Sequence, residues 1–212
     1  MTESASGIIL RARPLTETSL ILHWLTPRLG RLATVAKGAR RPKSPFRGKL
    51  DLFYEADFSF TRSRRSDLHN LREVGLRNTH EALRRDLGWL QQAGYCAILI
   101  EQTTETETPI PAVFDLLRGF LKQLPQQPPQ PITIFAFEMK LLAELGQSPD
   151  LEDSRLTPGA HKILADLAAK DWSALLRLKL STPQIREIRQ FLHGFLIWHL
   201  GKIPAGRDAA LG

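Results

Sequence analysis

Residues 28–49 read RLGRLATVAKGARRPKSPFRGK and contain eight lysines or arginines but no aspartate or glutamate. The first part of this stretch, residues 30–36, is rich in β-branched and small side chains, which is typical of a strand. Gly38 can adopt the positive φ that closes such a strand, and the two prolines and the glycine that follow exclude a continuous helix or strand. The stretch therefore predicts a strand followed by a mobile basic loop.

A basic loop that includes an aromatic ring suits a nucleic-acid strand. The cations would contact phosphates, and the ring of Phe46 would offer a stacking surface to an unpaired base. The alternative is a solvated loop that only keeps the protein in solution, but like charges at this density repel one another unless an anion is bound. The predicted nucleic-acid contacts are Arg13, Arg31, Lys37, Arg40, Arg41, Lys43, Phe46, Arg47, Lys49, Arg62, Arg64 and Arg65.

The net charge of +7 is unevenly distributed along the chain. Residues 1–65 carry 13 basic and 5 acidic side chains, and residues 154–212 carry 9 basic and 4 acidic ones. Residues 101–153 are acidic, with 9 carboxylates against 3 basic side chains. This distribution favours a polyanion on the terminal segments and leaves the centre for another role, such as a protein contact.

Five short strands are predicted before the pattern changes. Alternating apolar and polar residues, bounded by prolines and glycines, indicate a half-buried sheet. The last strand fits one face only if a bulge lies between Leu68 and Leu71. Five strands with a basic loop after the third fit a small closed barrel of the OB type, with an SH3-like barrel as the competitor. The predicted strands are residues 7–13, 18–25, 30–36, 52–60 and 68–76.

After residue 76 the apolar period changes from two to about 3.6, which predicts helices. The first, residues 80–102, would bury Leu83, Leu87, Leu90, Gly94 and Ala97. Further helices are predicted from Pro111, over residues 132–145, and after Thr157 and Thr182, with an extended connector at residues 125–131. The last helix is the most apolar, and its burial predicts a central position. The fold class is α+β: a five-stranded antiparallel OB-type barrel (residues 1–77) followed by an all-α helical domain (residues 78–212).

The sequence lacks the patterns of several catalytic classes. It has no glycine-rich phosphate loop, no nucleophile elbow and no pair of histidines at helical spacing. The single cysteine, Cys96, cannot complete a tetrahedral zinc set and reads as a small core residue. We therefore expect no enzymatic activity, no cofactor and no metal. No apolar run is long enough for a membrane helix, so we expect a cytoplasmic protein without membrane contact.

Several stretches together resemble the bacterial recombination mediator family RecO. The first eighty residues carry GIILRARPLTETSLIL (7–22), LTPRLGR (25–31) and VAKGARRPKS (35–44) in the order and spacing of that family's amino-terminal domain. FEMKLLAELGQSPDL (137–151) is similar to the family's central helix and the turn after it, and HLGK (199–202) matches its closing segment. The resemblance extends over nearly the whole chain.

The resemblance implies an OB-fold domain followed by a helical domain, without enzymatic turnover. It also implies binding of single- and double-stranded DNA, annealing of complementary strands, and a nucleoid-associated location. With the partner RecR, such proteins help to load the RecA recombinase onto DNA covered by single-strand-binding protein. Many members insert a four-cysteine zinc module after the central helix, whereas here residues 151–154 run almost directly into the helix start at Thr157. We therefore expect that the zinc module is absent and that burial of Leu192, Phe195 and Trp198 replaces it.

The resemblance places a slot for the acidic carboxyl-terminal tail of single-strand-binding protein in the helical half. Such a tail needs an apolar slot with a cation at its rim, although an ordinary core role is the stronger expectation for each apolar candidate. The predicted partner-binding residues are Leu116, Arg118, Phe120, Lys122, Phe135, Met139 and Lys140. From the residues alone two other functions stay open: an RNA-binding OB-fold protein, and a scaffold whose loop contacts acidic proteins.

Overall fold

The structure of the chain is a computed structural model that describes residues 2–151, 156–175 and 177–212. The chain forms two compact units. The barrel unit consists of Met1–Glu81 together with Thr104–Asp115. The helical unit consists of Ala82–Thr103 together with Leu116–Gly212. The chain thus returns to the barrel unit once after it has entered the helical unit.

The barrel unit contains a closed barrel of five strands in the order β1-β2-β3-β5-β4, which confirms the predicted OB-type architecture. The prediction that all strands are antiparallel is wrong for one pair, because β3 and β5 run parallel. Neighbouring strands in a ring of five cannot all alternate in direction, so a closed barrel of this size requires at least one parallel pair. The strands are β1 (Thr2–Pro14), β2 (Leu20–Thr26), β3 (Gly30–Ala36), β4 (Glu55–Thr61) and β5 (Leu68–Asn78).

The first strand is longer than predicted because it serves two neighbours. Its first half pairs with β4, from Thr2 opposite Thr61, and its second half pairs with β2, ending at Pro14 opposite Leu20. The register shifts between Ile9 and Arg11, so the expected alternation is interrupted there and consecutive residues are buried. This bulge bends the strand so that one segment can contribute to both sides of the barrel.

The fourth and fifth strands differ from their predictions in detail. β4 begins at Glu55 rather than residue 52, because Phe53 has a φ of 65° and turns its ring into the core while Leu52 is exposed. The N–H of Phe53 donates to the carbonyl of Ile9 at 2.8 Å, which fixes this turn against β1. The predicted bulge in β5 lies at Arg72 rather than before Leu71.

Aromatic rings fill the barrel. Trp24 stacks on Phe58 with their centroids 4.1 Å apart, and the indole N–H of Trp24 donates to the Thr34 hydroxyl at 2.9 Å. Phe60 lies beside Phe58 and stacks on the imidazole of His69 at 5.4 Å. Burial of large rings from β2 and β4 stabilises the closed sheet, and the buried polar atom of Trp24 has the partner that it needs.

The predicted helices occur with small shifts, all in the helical unit except that residues 111–115 of the second belong to the barrel unit. A short 3-10 helix, Glu81–Arg85, precedes the first α-helix, and another, Leu124–Gln126, occupies part of the predicted extended connector. Thr157 caps its helix by accepting from the N–H of Ala160, whereas the cap at the last long helix is Ser181 rather than Thr182. The α-helices are α1 (Leu87–Thr103), α2 (Pro111–Gln123), α3 (Pro131–Glu144), α4 (Pro158–Ala169), α5 (Trp172–Leu175), α6 (Thr182–Leu200) and α7 (Arg207–Leu211).

Two burial predictions for the helices are wrong. In α1, Leu87 is 70% exposed, and the buried face includes Gln92 and Tyr95 instead. In α6, the residues packed inward are Ile188, Leu192 and Leu196. Phe195 is only half-buried and Trp198 is 79% exposed, so α6 does not occupy the expected central position.

The central helix is α3. It packs against α1, α4, α6 and α7, and eight consecutive residues from Ile132 to Met139 are buried. A helix that is apolar on all sides can be covered on all sides, which explains why α3 rather than α6 forms the middle of the helical unit. Within the described ranges, no helix has both the length and the apolar character needed to cross a membrane.

Candidate nucleic-acid interface

The basic loop, residues 37–49, is a series of hydrogen-bonded turns rather than the mobile segment expected from its prolines. The N–H of Arg41 donates to the Gly38 carbonyl at 3.0 Å, and that of Ser44 donates to the Arg41 carbonyl at 3.0 Å. The next turns continue through Arg47, bonded to Ser44 at 3.2 Å, and Lys49, bonded to Phe46 at 3.0 Å. Each turn bends the chain back on itself, so the cations are held close together on an ordered backbone.

The basic loop is tied to the turn between β1 and β2. The N–H of Arg40 donates to the Thr18 carbonyl at 3.0 Å, and its guanidinium reaches the Thr16 carbonyl at 3.3 Å. Gly38 has a φ of 69°, and its N–H faces the Ser19 hydroxyl at 3.4 Å. Arg13, near the end of β1, leads into the same turn and is exposed. The structure therefore brings Arg13 to the edge of the barrel that carries the basic loop.

The cations of the basic loop have no acidic partners in the described part of the chain. Lys49 is partly exposed and the other five are exposed. Their charges are therefore uncompensated within the unit, and they create a positive field at this edge of the barrel. The six cations are Lys37, Arg40, Arg41, Lys43, Arg47 and Lys49.

Two shallow depressions lie on either side of Arg41. One, of about 390 Å³, is lined by Arg40, Arg47 and neighbouring loop residues. The other, of about 420 Å³, is lined by Lys37 and by residues of the β1–β2 turn, including Thr16. Arg41 lines both depressions, so its guanidinium can contact an anion in either one. The arrangement can hold successive phosphates of a strand on two sides of one side chain.

Phe46 does not present a stacking surface. Its ring is 8% exposed and belongs to the barrel core with Trp24 and Phe60. The prediction that it stacks on a base is therefore corrected, because an apolar ring beside an open hydrophobic core is stabilised more by burial than by exposure to solvent. Phe46 instead anchors the loop that carries the cations.

The other predicted arginines lie at the opposite edge of the barrel. Arg62, Arg64 and Arg65 occupy the turn between β4 and β5, and β4 ends at Thr61, which pairs with the beginning of β1. Arg64 and Arg65 are exposed. The predicted contacts thus form two groups rather than one continuous patch.

Arg31 and Arg62 are engaged by residues 104–108, a segment that we call the strap. The side chain of Arg31 donates to the Thr104 hydroxyl at 2.8 Å and to the Thr104 carbonyl. The guanidinium of Arg62 donates to Glu3 at 2.7 Å and to Glu107 at 2.8 Å. Unlike the cations of the basic loop, Arg62 is neutralised by carboxylates of its own chain.

The strap also contacts a buried histidine. The Nε2 atom of His69 lies 2.7 Å from Glu107, and the N–H of Ser63 donates to Nδ1 of His69 at 3.3 Å. Burial disfavours the charged form of Glu107, but the hydrogen bonds from His69 and Arg62 outweigh it, and the pKa of Glu107 lies below its usual value. Glu107 is therefore charged at neutral pH.

The strap and its partners were missed by sequence reasoning. Glu107 lies in a short acidic loop between two helices, and nothing in the spacing of that loop indicates a contact with β3 or with the β4–β5 turn. The contact restricts Gly30, because a side chain at this position would place its Cβ 2.0 Å from the Thr108 carbonyl oxygen. That restriction shows only after folding.

Three of the predicted partner-binding residues are buried and cannot form a slot for a partner. Phe120 and Phe135 are fully buried and Met139 is 2% exposed, so all three belong to the core of the helical unit. Lys140 donates to the carbonyls of Ala168 and Lys170, and burial lowers its pKa. The remaining predicted residues are Leu116, which is half-buried, and Arg118 and Lys122, which are exposed on α2.

No group of three or more potential metal ligands occurs among the residues that the structure describes. Cys96 is fully buried, and burial raises the pKa of its thiol well above the usual value. Residues 152–154, where the expected zinc module is missing from the sequence, lie outside the described residues.

Comparisons with known proteins agree with the two-part organisation. The model of the family "Recombination protein O N terminal" matches residues 1–80, and that of "Recombination protein O C terminal" matches residues 84–157. The DNA repair protein RecO of Anaeromyxobacter dehalogenans (strain 2CP-C) is 31% identical over 95% of this chain and 93% of its own length. That of Bacillus subtilis (strain 168) is 30% identical over 71% of this chain and 58% of its own length.

The longer alignment includes positions of the relative that have no counterpart in this chain. It extends over 237 positions although this chain has 212 residues, so at least 25 positions of the Anaeromyxobacter protein have no counterpart here. Both family models and a relative covered almost completely lead to the same assignment: this chain belongs to the RecO family of proteins, which acts in DNA repair and recombination.

Proposed function

We propose that this chain is a recombination mediator that binds single- and double-stranded DNA through the basic loop and catalyses no reaction. The observation that carries the proposal is the set of six uncompensated cations on an ordered loop, with Arg41 between two depressions. Because phosphates are the partners common to all DNA sequences, such a loop binds DNA without sequence preference. Association with the nucleoid follows from the same property.

We further propose that bound strands are annealed and that the chain acts with RecR in loading RecA onto DNA coated by single-strand-binding protein. Family membership supports this part of the proposal. A loop that neutralises phosphates reduces the repulsion between two complementary strands, which is the physical requirement for annealing. The DNA contacts are assigned to the barrel unit, including residues 104–115, and the protein partners to the helical unit.

The acidic tail of single-strand-binding protein is proposed to bind the helical unit beside α2. Leu116, which is half-buried, and the exposed Arg118 and Lys122 are the predicted slot residues that remain accessible there. Calorimetry with a tail peptide tests this assignment. Lys122→Glu in the full chain should weaken binding of the peptide, whereas Lys162→Glu on α4 should leave its affinity unchanged. Equal affinities of the two variants would remove α2 from the tail site.

The DNA-binding proposal is tested by reversing charge in the basic loop. Arg40→Glu with Arg41→Glu should weaken binding of all DNA sequences about equally and slow strand annealing. The matched control is Lys162→Glu with Lys179→Glu, which makes the same charge change at two exposed lysines of the helical unit. If about four loop cations act on a single strand, log affinity should fall against log salt with a slope of roughly −3 in the parent protein, from about −0.7 per phosphate.

Two outcomes would contradict the proposal. Equal DNA affinity of the loop variant and the control at low salt would exclude the basic loop. A preference for RNA in competition between matched DNA and RNA strands would favour the RNA-binding alternative.

A further inference from the structure

The carboxylate of Glu107 lies between Arg62 and His69, in a position that a phosphate could also occupy. One of its oxygens accepts from Nη1 of Arg62 at 2.8 Å and the other is 2.7 Å from Nε2 of His69. Since the Ser63 N–H is a donor, Nδ1 of His69 must accept, and the ring hydrogen is on Nε2 and points to Glu107. A neutral imidazole and a guanidinium that converge on two oxygens of one anion form a geometry that also suits a phosphate.

Few backbone bonds attach the strap to the barrel. The N–H of Glu107 donates to the Arg31 carbonyl at 2.7 Å, and a single parallel bridge joins Arg31 to Thr106. Glu107 has a φ of 55°, in the left-handed region that is unfavourable for a residue with a side chain. Residues 105–108 are exposed. Apart from the side-chain bonds to Thr104 and Glu107, this one bridge holds the strap, so displacement costs chiefly those bonds, and release of the strained residue offsets part of that cost.

The space beside the strap is partly enclosed. A cavity of about 150 Å³ lies between the strap and the barrel wall, with Leu10, Trp24 and Leu32 on the wall and Thr106 and Glu107 on the strap. Withdrawal of the strap would open this cavity to solvent together with the cations beside it. Its charged lining residues are Arg31, Asp67 and Glu107, and Glu107 is paired with Arg62, which also bonds Glu3.

We propose that Arg62 and His69 form a second phosphate-binding site of the barrel, that Glu107 occupies it in the unbound protein, and that a nucleic-acid phosphate displaces the strap. The inference rests on the proposed DNA binding, but it concerns the opposite edge of the barrel from the basic loop. Glu3 stays bonded to Nε of Arg62, which orients the guanidinium for the incoming phosphate. The strap is part of the connection between α1 and α2, so its displacement would alter the conformation of that connection.

The test compares two single substitutions in the full chain. Glu107→Gln removes the competing charge from Arg62, and Glu105→Gln removes an equal charge from an exposed neighbour in the same strap. With an oligo(dT) strand at low salt, Glu107→Gln should bind about fivefold more tightly than the parent protein, near the upper limit for a partly exposed charge pair. Its salt slope should match that of the parent protein, because the same phosphates are bound once the strap is displaced. Glu105→Gln should bind oligo(dT) as the parent protein does, apart from a small general effect of its charge.

A double substitution separates the site from a general change in charge. Arg62→Gln alone should alter affinity by less than about twofold, because Glu107 already occupies Arg62. In the Glu107→Gln background, Arg62→Gln should abolish the gain. An equal effect of Arg62→Gln in both backgrounds would overturn the inference, since the two residues would then act independently.

Hydrogen exchange measures displacement directly. Adding oligo(dT) to the parent protein should speed exchange at the amides of residues 105–108, because the Glu107 N–H loses its partner at Arg31. Unchanged or slower exchange with saturating DNA would overturn the inference. The loop reversal Arg40→Glu with Arg41→Glu tests the proposed function separately: if it leaves DNA binding intact while the Glu107→Gln gain persists, the basic loop fails and the strap site stands.

Discussion

Arg207 bonds both carboxylate oxygens of Glu138, with distances of 2.7 Å from Nε and 2.9 Å from Nη2. Glu138 is fully buried, Arg207 is 1% exposed, and Tyr95 donates its hydroxyl hydrogen to the same carboxylate at 2.5 Å. Burial raises the pKa of Tyr95, so its hydroxyl remains a donor across the neutral range. This network joins α1, α3 and α7 in the helical unit.

Arg207→Ala should therefore destabilise the protein strongly. It leaves the Glu138 carboxylate buried without its cation, and we expect a loss of about 3–5 kcal/mol in the free energy of unfolding. Replacing both charges, with Glu138→Leu and Arg207→Met, should restore most of that loss, since an apolar pair of similar size needs no counter-charge. Urea denaturation of the three proteins measures both effects. A loss below about 1 kcal/mol for the single variant would contradict the structural role of this pair.

Phe46 should affect stability rather than base stacking. Phe46→Ala is expected to reduce the free energy of unfolding by about 3 kcal/mol, because it removes a buried ring from the barrel core. Phe46→Leu keeps most of the buried volume and should retain DNA affinity within about twofold. Thermal melts and an oligo(dT) titration test the two variants. Weak DNA binding by a well-folded Phe46→Leu protein would restore the stacking role that its burial argues against.

Of two substitutions in α6, the one that removes the smaller side chain should destabilise the protein more. Leu192 is fully buried, so Leu192→Ala should cost about 2–5 kcal/mol. Trp198 is 79% exposed, so Trp198→Ala should change the free energy of unfolding by no more than about 0.5 kcal/mol. Phe195→Ala should fall between them. Equal destabilisation by Leu192→Ala and Trp198→Ala in urea would mean that α6 is packed as the sequence predicted.

The strap should contribute to stability in a pH-dependent way. Folding lowers the pKa of Glu107, so this carboxylate binds protons more readily in the unfolded chain. Its contribution to the free energy of unfolding is therefore fully present above the ordinary glutamate pKa of about 4.3. The contribution is lost as the pH falls through the folded pKa. The difference in unfolding free energy between the parent protein and Glu107→Gln should therefore be constant near neutral pH and shrink below about pH 4. A difference that grows on acidification would contradict the ion pairs assigned to Glu107.

Strand positions were predictable because each strand carries its own pattern. β3 has the predicted bounds, and its end at the glycine of the basic loop follows from local backbone preference. The extension of β1 to Thr2 was not predictable, because those polar residues are strands only by pairing with β4, about fifty positions away. The need for a parallel pair was available in principle, since it follows from closing an odd number of strands, but its location between β3 and β5 was not.

Helix burial was less predictable because polar side chains were assumed to face solvent. Gln92 is buried and donates to the carbonyls of Gln130 and Ala210, and Tyr95 bonds Glu138. These partners lie far along the chain, so the apolar period of α1 identified the wrong face. In the same way, the apolar composition of α6 predicted more buried residues than the structure has, and Trp198 remains exposed.

In the candidate site, too, features set by neighbouring residues were predictable and features set by distant residues were not. The basic loop is visible in the sequence because its charges are neighbours, and its exposure needs only the turns within it. The engagement of Arg31 and Arg62 was invisible because Thr104 and Glu107 reach them from beyond a helix. The exposure of charges on a contiguous run was therefore easier to predict than bonds between distant segments.

The return of the strap to the barrel has a consequence for protein synthesis. All five strands precede residue 79, so the sheet can close while α1 is still being translated. Glu107 follows later, and until it emerges Arg62 and His69 lack the carboxylate that joins them in the finished protein. A nascent chain on the ribosome, surrounded by ribosomal RNA and messenger RNA, thus carries both cationic edges uncovered for the time needed to translate residues 79–107.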